Sequence, residues 1–256
     1  MREIRRALLR RFSAEQHIFF LHMAKCGGSS VSTALRKKFP YNWVRVSARG
    51  SVEAARQIYG FKDAYEDSYA SVLRFREDLL MYFMACDTRY ICGHFSFSER
   101  AYQAFGHRYK YITILRDPID RYLSHYYFNA RKKTDSPWKI DQSLAEFVES
   151  ERGAEAGADF VKYFGGVRED GDYHSREAID LAKGNLQRFA VVGVLENLAD
   201  FEKQLVQKCG LKIRVGHANK TPGRRDQKID ADLHRRIESI CASDLELYEV
   251  ALSLGA

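Results

Sequence analysis

The chain has 256 residues, 45% hydrophobic and 29% charged, which is enough to bury a sizeable core in one large α/β domain or two small ones; a single domain over 1–256 is expected. Its 41 Lys plus Arg against 34 Asp plus Glu give a net charge of +7, an excess that suits a polyanionic ligand, an acidic acceptor or a membrane surface without choosing among them. Five scattered cysteines with no C-x-x-C pair argue against a disulfide framework or a structural zinc site and favour a reducing, cytoplasmic setting.

The first residues, MREIRRALLRRF, lack the apolar core and small-residue cleavage site of a secretory signal. They read either as a solvated helix packing Ile4, Leu8 and Leu9 on the body, or as a basic amphipathic helix in weak contact with a membrane surface. No apolar run approaches the ~18 residues of a membrane span. Periodicity then predicts a strand at 17–22, a helix at 29–38, a strand at 43–47, a helix at 74–86 and strands at 89–93 and 109–115. Helices follow at 117–132, 143–151 and 176–188, then a strand at 190–195 and helices at 197–208 and 230–252. The alternation predicts an α/β fold with a central parallel sheet flanked by helices, whose ligands bind at the carboxyl ends of the strands. Residues 131–175, rich in charge and small side chains, are expected to form an acceptor-side lobe or lid.

Two stretches carry chemistry. In FFLHMAKCGGSSVSTAL (19–35) a strand runs into Lys25, Gly27, Gly28, Ser29 and Ser30 and then a helix. The glycines let backbone N–H groups approach an anion, the serines lie at the positive end of the helix, and Lys25 adds a mobile charge. The lysine precedes the glycines, so the Walker A order is absent; a plain Gly-Gly turn before a serine cap fits as well. In YKYITILRDPIDRYLSHYYFNARKK (109–133) a strand delivers Arg116, Asp117 can cap a helix and Pro118 fits its first position. Helical spacing puts Asp117, Arg121, Ser124 and Phe128 on one face, so Arg116 and Ser124 can bracket a phosphate, while Arg121 is expected to pair with Asp117 one turn away. Two such sites in one sheet suggest one ligand with two phosphate-like groups.

HMAKCGGSSV resembles the 5'-phosphosulfate segment of sulfotransferases that use 3'-phosphoadenosine 5'-phosphosulfate (PAPS), and LRDPIDRYLSHYYF resembles their 3'-phosphate segment. The likeness is to the Golgi-type carbohydrate branch that includes uronosyl 2-O-sulfotransferases. It continues through DFVKYFGG (159–166) and AKGNLQRFAVVGVLENLADFEKQL (182–205) to HANKTPGRR (217–225). It implies a P-loop-like three-layer fold, PAPS as co-substrate and no metal. It places Lys25 at the phosphosulfate, where it stabilises the leaving oxygen, Gly27, Gly28, Ser29 and Ser30 around the 5'-phosphate, and Arg116 and Ser124 on the 3'-phosphate. Lys220, Arg224 and Arg225 would close a basic loop over the nucleotide, or form a solvated basic turn. Cys26 departs from the family pattern, and reads as a reactive thiol or as a small inert loop residue.

The acceptor hydroxyl needs a base. His94, in YICGHFSF, ends a predicted strand on the edge where the phosphate loops gather, and its Gly-His pair resembles the histidine segment of uronosyl 2-O-sulfotransferases. His22, His125, His174, Glu99 and Glu196 are the other candidates. The sequence thus reads as a sulfotransferase acting on a carbohydrate hydroxyl, with no nucleic-acid partner. The alternatives are a catalytically idle nucleotide- or anionic-glycan-binding protein and a P-loop phosphotransferase. Without the anchor usual for Golgi members, the chain is expected to be a soluble bacterial-style enzyme or a truncated form of an anchored one.

Overall fold

The computed structural model describes residues 15–61, 69–133, 136, 138–167, 171–216 and 229–255. The basic N-terminal segment, and Lys220, Arg224 and Arg225, lie outside them. Five strands form the sheet: β1 (His17–Leu21), β2 (Trp43–Arg45), β3 (Tyr90–Gly93), β4 (Tyr109–Leu115) and β5 (Val191–Val194). Their order is β2-β3-β1-β4-β5, and every pairing is parallel.

The central strands are apolar on both sides because both faces are covered. Phe19 and Leu21 of β1 join Ile91, Tyr109 and Tyr111 in one core. Ile18 and Phe20 face the opposite way, into a second core with Ile112, Ile114, Val31 and Leu35. The helices are α1 (Gly28–Arg36), α2 (Ala48–Tyr59), α3 (Tyr69–Ala85), α4 (Glu99–Phe105), α5 (Pro118–Ala130), α6 (Leu144–Val148), α7 (Glu151–Gly157), α8 (Asp159–Gly165), α9 (Arg176–Gln187), α10 (Leu198–Cys209), α11 (Ala231–Ile240) and α12 (Ala242–Leu254).

The five predicted strands are present, whereas α2, α4 and α8 were not predicted. The helix expected at 143–151 stops at Val148, and α7 (Glu151–Gly157), also not predicted, begins where Ser150 accepts from Gly153 N at 3.0 Å; a side chain at Gly153 would collide with Phe147 O. The helix expected at 230–252 divides at Cys241, where ψ is 5°. Residues 131–175 divide between two environments. Ile140, Phe147, Val148 and Ala156 pack with Tyr122 and Tyr126 of α5 and Ile237 of α11 in a third cluster. Phe160, Val161, Tyr163 and Phe164 of α8 belong to the main core.

Candidate active site

Three neighbouring strands deliver the candidate residues to one edge of the sheet. Leu21 of β1 is paired with Gly93 of β3 and with Thr113 of β4. His94, the loop after β1 and Arg116 therefore leave adjacent strands in the same direction.

The β1–α1 loop is fixed from below. Met23 and Cys26 are buried in the main core, and Lys25 and Gly27, on either side of Cys26, take positive φ values of 68° and 76°. Left-handed backbone is ordinary for glycine and costly for lysine, so the packed flanks must impose it on Lys25. A Cβ on Gly27 would lie 2.6 Å from Leu195 Cδ1, and one on Gly28 would collide with the His22 ring. Helix α1 has no side-chain cap, whereas α2 and α5 close their N-termini with Ser47 and Asp117. Its first N–H groups and positive dipole end thus face the loop beside Lys25. Burial pushes the Cys26 thiol up to about 12, against the opposing pull of Arg121 and Arg116, which favours the small inert loop residue over the reactive thiol.

The β4–α5 junction follows the sequence reading at its start. Asp117 accepts from Asp120 N at 2.9 Å, and Pro118 sits in the first turn. Arg116 Nη2 donates to Asp120 Oδ2 at 2.8 Å, while its Nε is buried with no hydrogen-bond partner. That orphaned donor fits an anion held at this corner. Ser124 lies further along α5, half-buried.

Arg121 departs from the expectation. It is fully buried, and its Nη1 donates to Asp159 Oδ2 at 2.7 Å and its Nη2 to Ala156 O, not to Asp117. Asp117 is committed to its cap, and α5 rotates Arg121 inward while Phe128 stays 52% exposed, so the four residues do not share one environment. Burial opposes the Arg121 charge, and Asp159 and then Asp244 more than offset it, leaving the guanidinium pKa raised. Asp244 in turn accepts from Phe160 N at 2.9 Å and Val161 N at 3.1 Å. It caps α8 from a distant helix where Ala158, in the capping position, has no acceptor.

His94 lines a cavity of about 220 Å³ with His22, Arg45, Ser47 and Ala48. Its Nδ1 lies 2.6 Å from His22 O. A carbonyl only accepts, so Nδ1 carries the hydrogen and Nε2 presents a lone pair. The two imidazoles lie 4.6 Å apart. Arg76, buried on α3, donates from Nη1 to His94 O at 2.7 Å and from Nε to Ser51 Oγ at 2.8 Å. Burial and then Arg76 lower the His94 pKa to about 4, which keeps the ring neutral at ordinary pH. His22 is held well below its usual value by burial and by His94, and its buried Nδ1 has no hydrogen-bond partner.

The remaining candidates have other partners. His125 Nε2 meets Asn129 Nδ2 at 3.0 Å, and burial lowers its pKa to about 3. His174 is exposed, 3.5 Å from Ser243 Oγ. Glu99 pairs with Arg188. Glu196 accepts from Asp117 N at 3.2 Å and from the Tyr248 hydroxyl at 2.9 Å. Sequence reasoning missed Arg45, Arg76 and Asp159. Only Arg76 left a signal, as a charge within the buried stripe of Val72, Leu73 and Leu80.

The fold and site are those of a parallel α/β protein that gathers a helix N-terminus with no side-chain cap, a lysine and an orphaned arginine donor at one edge of its sheet. The particular family follows from comparison: residues 11–253 match the model of the sulfotransferase family, and the chain belongs to it. Heparan sulfate 2-O-sulfotransferase 1 of Mus musculus is 33% identical over 122 residues, covering 43% of this chain and 34% of that protein, and the Homo sapiens protein matches to the same extent. The chain thus spans about a third of the length of these relatives. A sulfotransferase structure from Alicyclobacillus acidocaldarius superposes with a TM-score of 0.50 at 18% identity over 93% of this chain and 96% of that one, which shows a shared fold. Among the described residues no helix is long and apolar enough to cross a membrane, and no group of three His, Cys, Asp or Glu could hold a metal ion.

Proposed function

We propose that this protein transfers the sulfuryl group of PAPS to a hydroxyl of a carbohydrate acceptor. The observation that carries the reading is the pairing, on adjacent strands, of an uncapped helix N-terminus beside Lys25 with Arg116 and its orphaned Nε. One corner suits the 5'-phosphosulfate and the other the 3'-phosphate.

When bound, the nucleotide supplies an activated sulfuryl group and a phosphate leaving group. The residues of this chain do the rest. Gly27, Gly28, Ser29 and Ser30 present N–H and hydroxyl donors to the 5'-phosphate, and Arg116 and Ser124 hold the 3'-phosphate. Lys25 stabilises the charge that collects on the bridging oxygen as its bond to sulfur breaks. His94 Nε2 takes the proton of the acceptor hydroxyl as the new S–O bond forms, a role worth on the order of 100-fold to 10,000-fold. The cavity beside His94 has room for part of a sugar ring, and Arg45 at its rim offers the planar fork that recognises a carboxylate or sulfate. The names of the relatives support an acceptor of the heparan sulfate kind, an anionic glycan.

The test is thermal stabilisation by 3'-phosphoadenosine 5'-phosphate, followed by transfer of labelled sulfate from PAPS to a panel of glycans without added metal. Lys25→Ala is expected to cripple turnover more than nucleotide binding. A preference for Mg²⁺-ATP would overturn the proposal, and nucleotide binding with no transfer to any acceptor would support the idle binding protein.

A further inference from the structure

Phe128 is a half-exposed ring on a helix where Tyr122 and Tyr126 are buried and Tyr127 is half-buried. Two cations use it. Lys25 Nζ lies 3.7 Å from the ring centroid and Lys132 Nζ lies 5.0 Å from the same point. The first of these contacts joins the loop after β1 to the helix that carries Ser124, so it couples the two proposed phosphate corners through side chains rather than through the sheet.

We infer that Phe128 is a positioning residue for Lys25, holding its ammonium at the mouth of the β1–α1 loop. The inference rests on the reading of Lys25 as the residue that faces the transferred group. The left-handed backbone at Lys25, φ 68°, fixes where the side chain begins; four flexible bonds later, the ring fixes where it ends. An aromatic face suits the task because its quadrupole attracts a cation without accepting a proton or adding a negative charge. A carboxylate in the same place would cancel the charge that a leaving oxygen needs. Lys132 is further from the ring and is shared with Trp138, whose centroid is 4.8 Å away; burial and then Arg152 lower its pKa to about 8. Of the two cations, Lys25 has the closer hold on Phe128.

The experiment uses the whole chain with its lysines dimethylated with ¹³C, the Lys25 signal being the one that disappears in Lys25→Arg. In the ligand-free protein that signal is expected to show an upfield ring-current shift, lost in Phe128→Leu and restored in Phe128→Tyr. In steady state, Phe128→Leu is expected to lower kcat by about 3- to 30-fold, the span of a cation–π contact from exposed to desolvated. Phe128→Tyr restores it, and the melting temperature stays nearly constant because the ring is half exposed. An unshifted Lys25 signal in the starting protein, or an undiminished kcat in Phe128→Leu, overturns the inference. If no acceptor is ever sulfated, the sulfotransfer reading fails by itself, and the resonance position still decides whether Phe128 holds Lys25.

Discussion

The His94 ring is anchored to the backbone of the neighbouring strand by the 2.6 Å hydrogen bond from its Nδ1 to His22 O. One contact sets the tautomer, aims Nε2 at the cavity and ties the proposed base to the residue that precedes the phosphate loop. His94→Ala is therefore expected to lose transfer by about 100-fold or more while still binding 3'-phosphoadenosine 5'-phosphate. Because burial and Arg76 lower the ring's pKa to about 4, the acid limb of kcat/KM in the free enzyme is expected near pH 4. A limb at the ordinary histidine value of about 6.5 would contradict the desolvated site.

Gly28 is the position where loop and ring meet. Gly28→Ala would drive a methyl group into the His22 imidazole, displacing either the loop or the carbonyl that holds His94. The expected cost is about 1–3 kcal/mol of stability, with nucleotide affinity and turnover falling together; chemical denaturation and calorimetric titration measure both. A variant as stable and active as the parent would mean that the contact is easily relieved.

Arg116 offers a test that tells the two proposed phosphate corners apart. Arg116→Ala is expected to weaken 3'-phosphoadenosine 5'-phosphate by about 10- to 150-fold, the worth of charge-assisted hydrogen bonds of ~1.5–3 kcal/mol. Adenosine 5'-phosphosulfate, which lacks the 3'-phosphate, should bind almost as it does to the parent. Equal losses for both ligands would remove Arg116 from the 3'-phosphate.

The thiols give a simple chemical check. Cys86 is exposed, whereas Cys26, Cys92, Cys209 and Cys241 are buried, and burial raises Cys26 to about 12. An aromatic disulfide reagent at neutral pH should titrate one thiol quickly in the native protein and five after denaturation. Rapid labelling of Cys26 would show the loop to be open.

Acid should destabilise the fold. His17, His22, His94 and His125 all have folded pKa values below 6.5, the last two at about 4 and about 3. Between those values and 6.5 the unfolded chain binds more protons, so their contribution is complete above pH 6.5 and is lost as pH falls toward 4 and 3. Asp244 opposes them. Burial raises its pKa from 3.8 to about 7, so its contribution is complete below 3.8 and is lost as pH rises through 7. With four imidazoles against one carboxyl, the melting temperature is expected to fall on acidification from pH 6.5 to 4; a rise would show that Asp244 dominates.

The sheet and the strand–loop–helix at β1–α1 were legible because their signals are local: unbroken apolar strands, paired glycines, and Asp-Pro at a helix start. Arg116 was legible for the same reason. The partner of Arg121 was not, because its spacing from Asp117 offers a salt bridge that the cap had already taken, and Asp159 is brought in by tertiary packing. Arg76 reaches His94 O from α3, and no spacing rule connects residues 76 and 94. Helices α2 and α4 were missed because each buries few residues: α2 only Ser51, Val52 and Ala55, and α4 only Ala101.

Asp244 imposes an order on assembly. It stands 84 residues beyond Phe160, whose N–H it receives, and through α8 it supports Asp159 and hence Arg121 beneath the phosphate loop. During synthesis the sheet edge and both anion corners can leave the ribosome long before the carboxylate that braces them. Until α12 emerges, the buried guanidinium has only part of its support, and a chain interrupted before residue 244 would carry every proposed catalytic group on an unfinished floor.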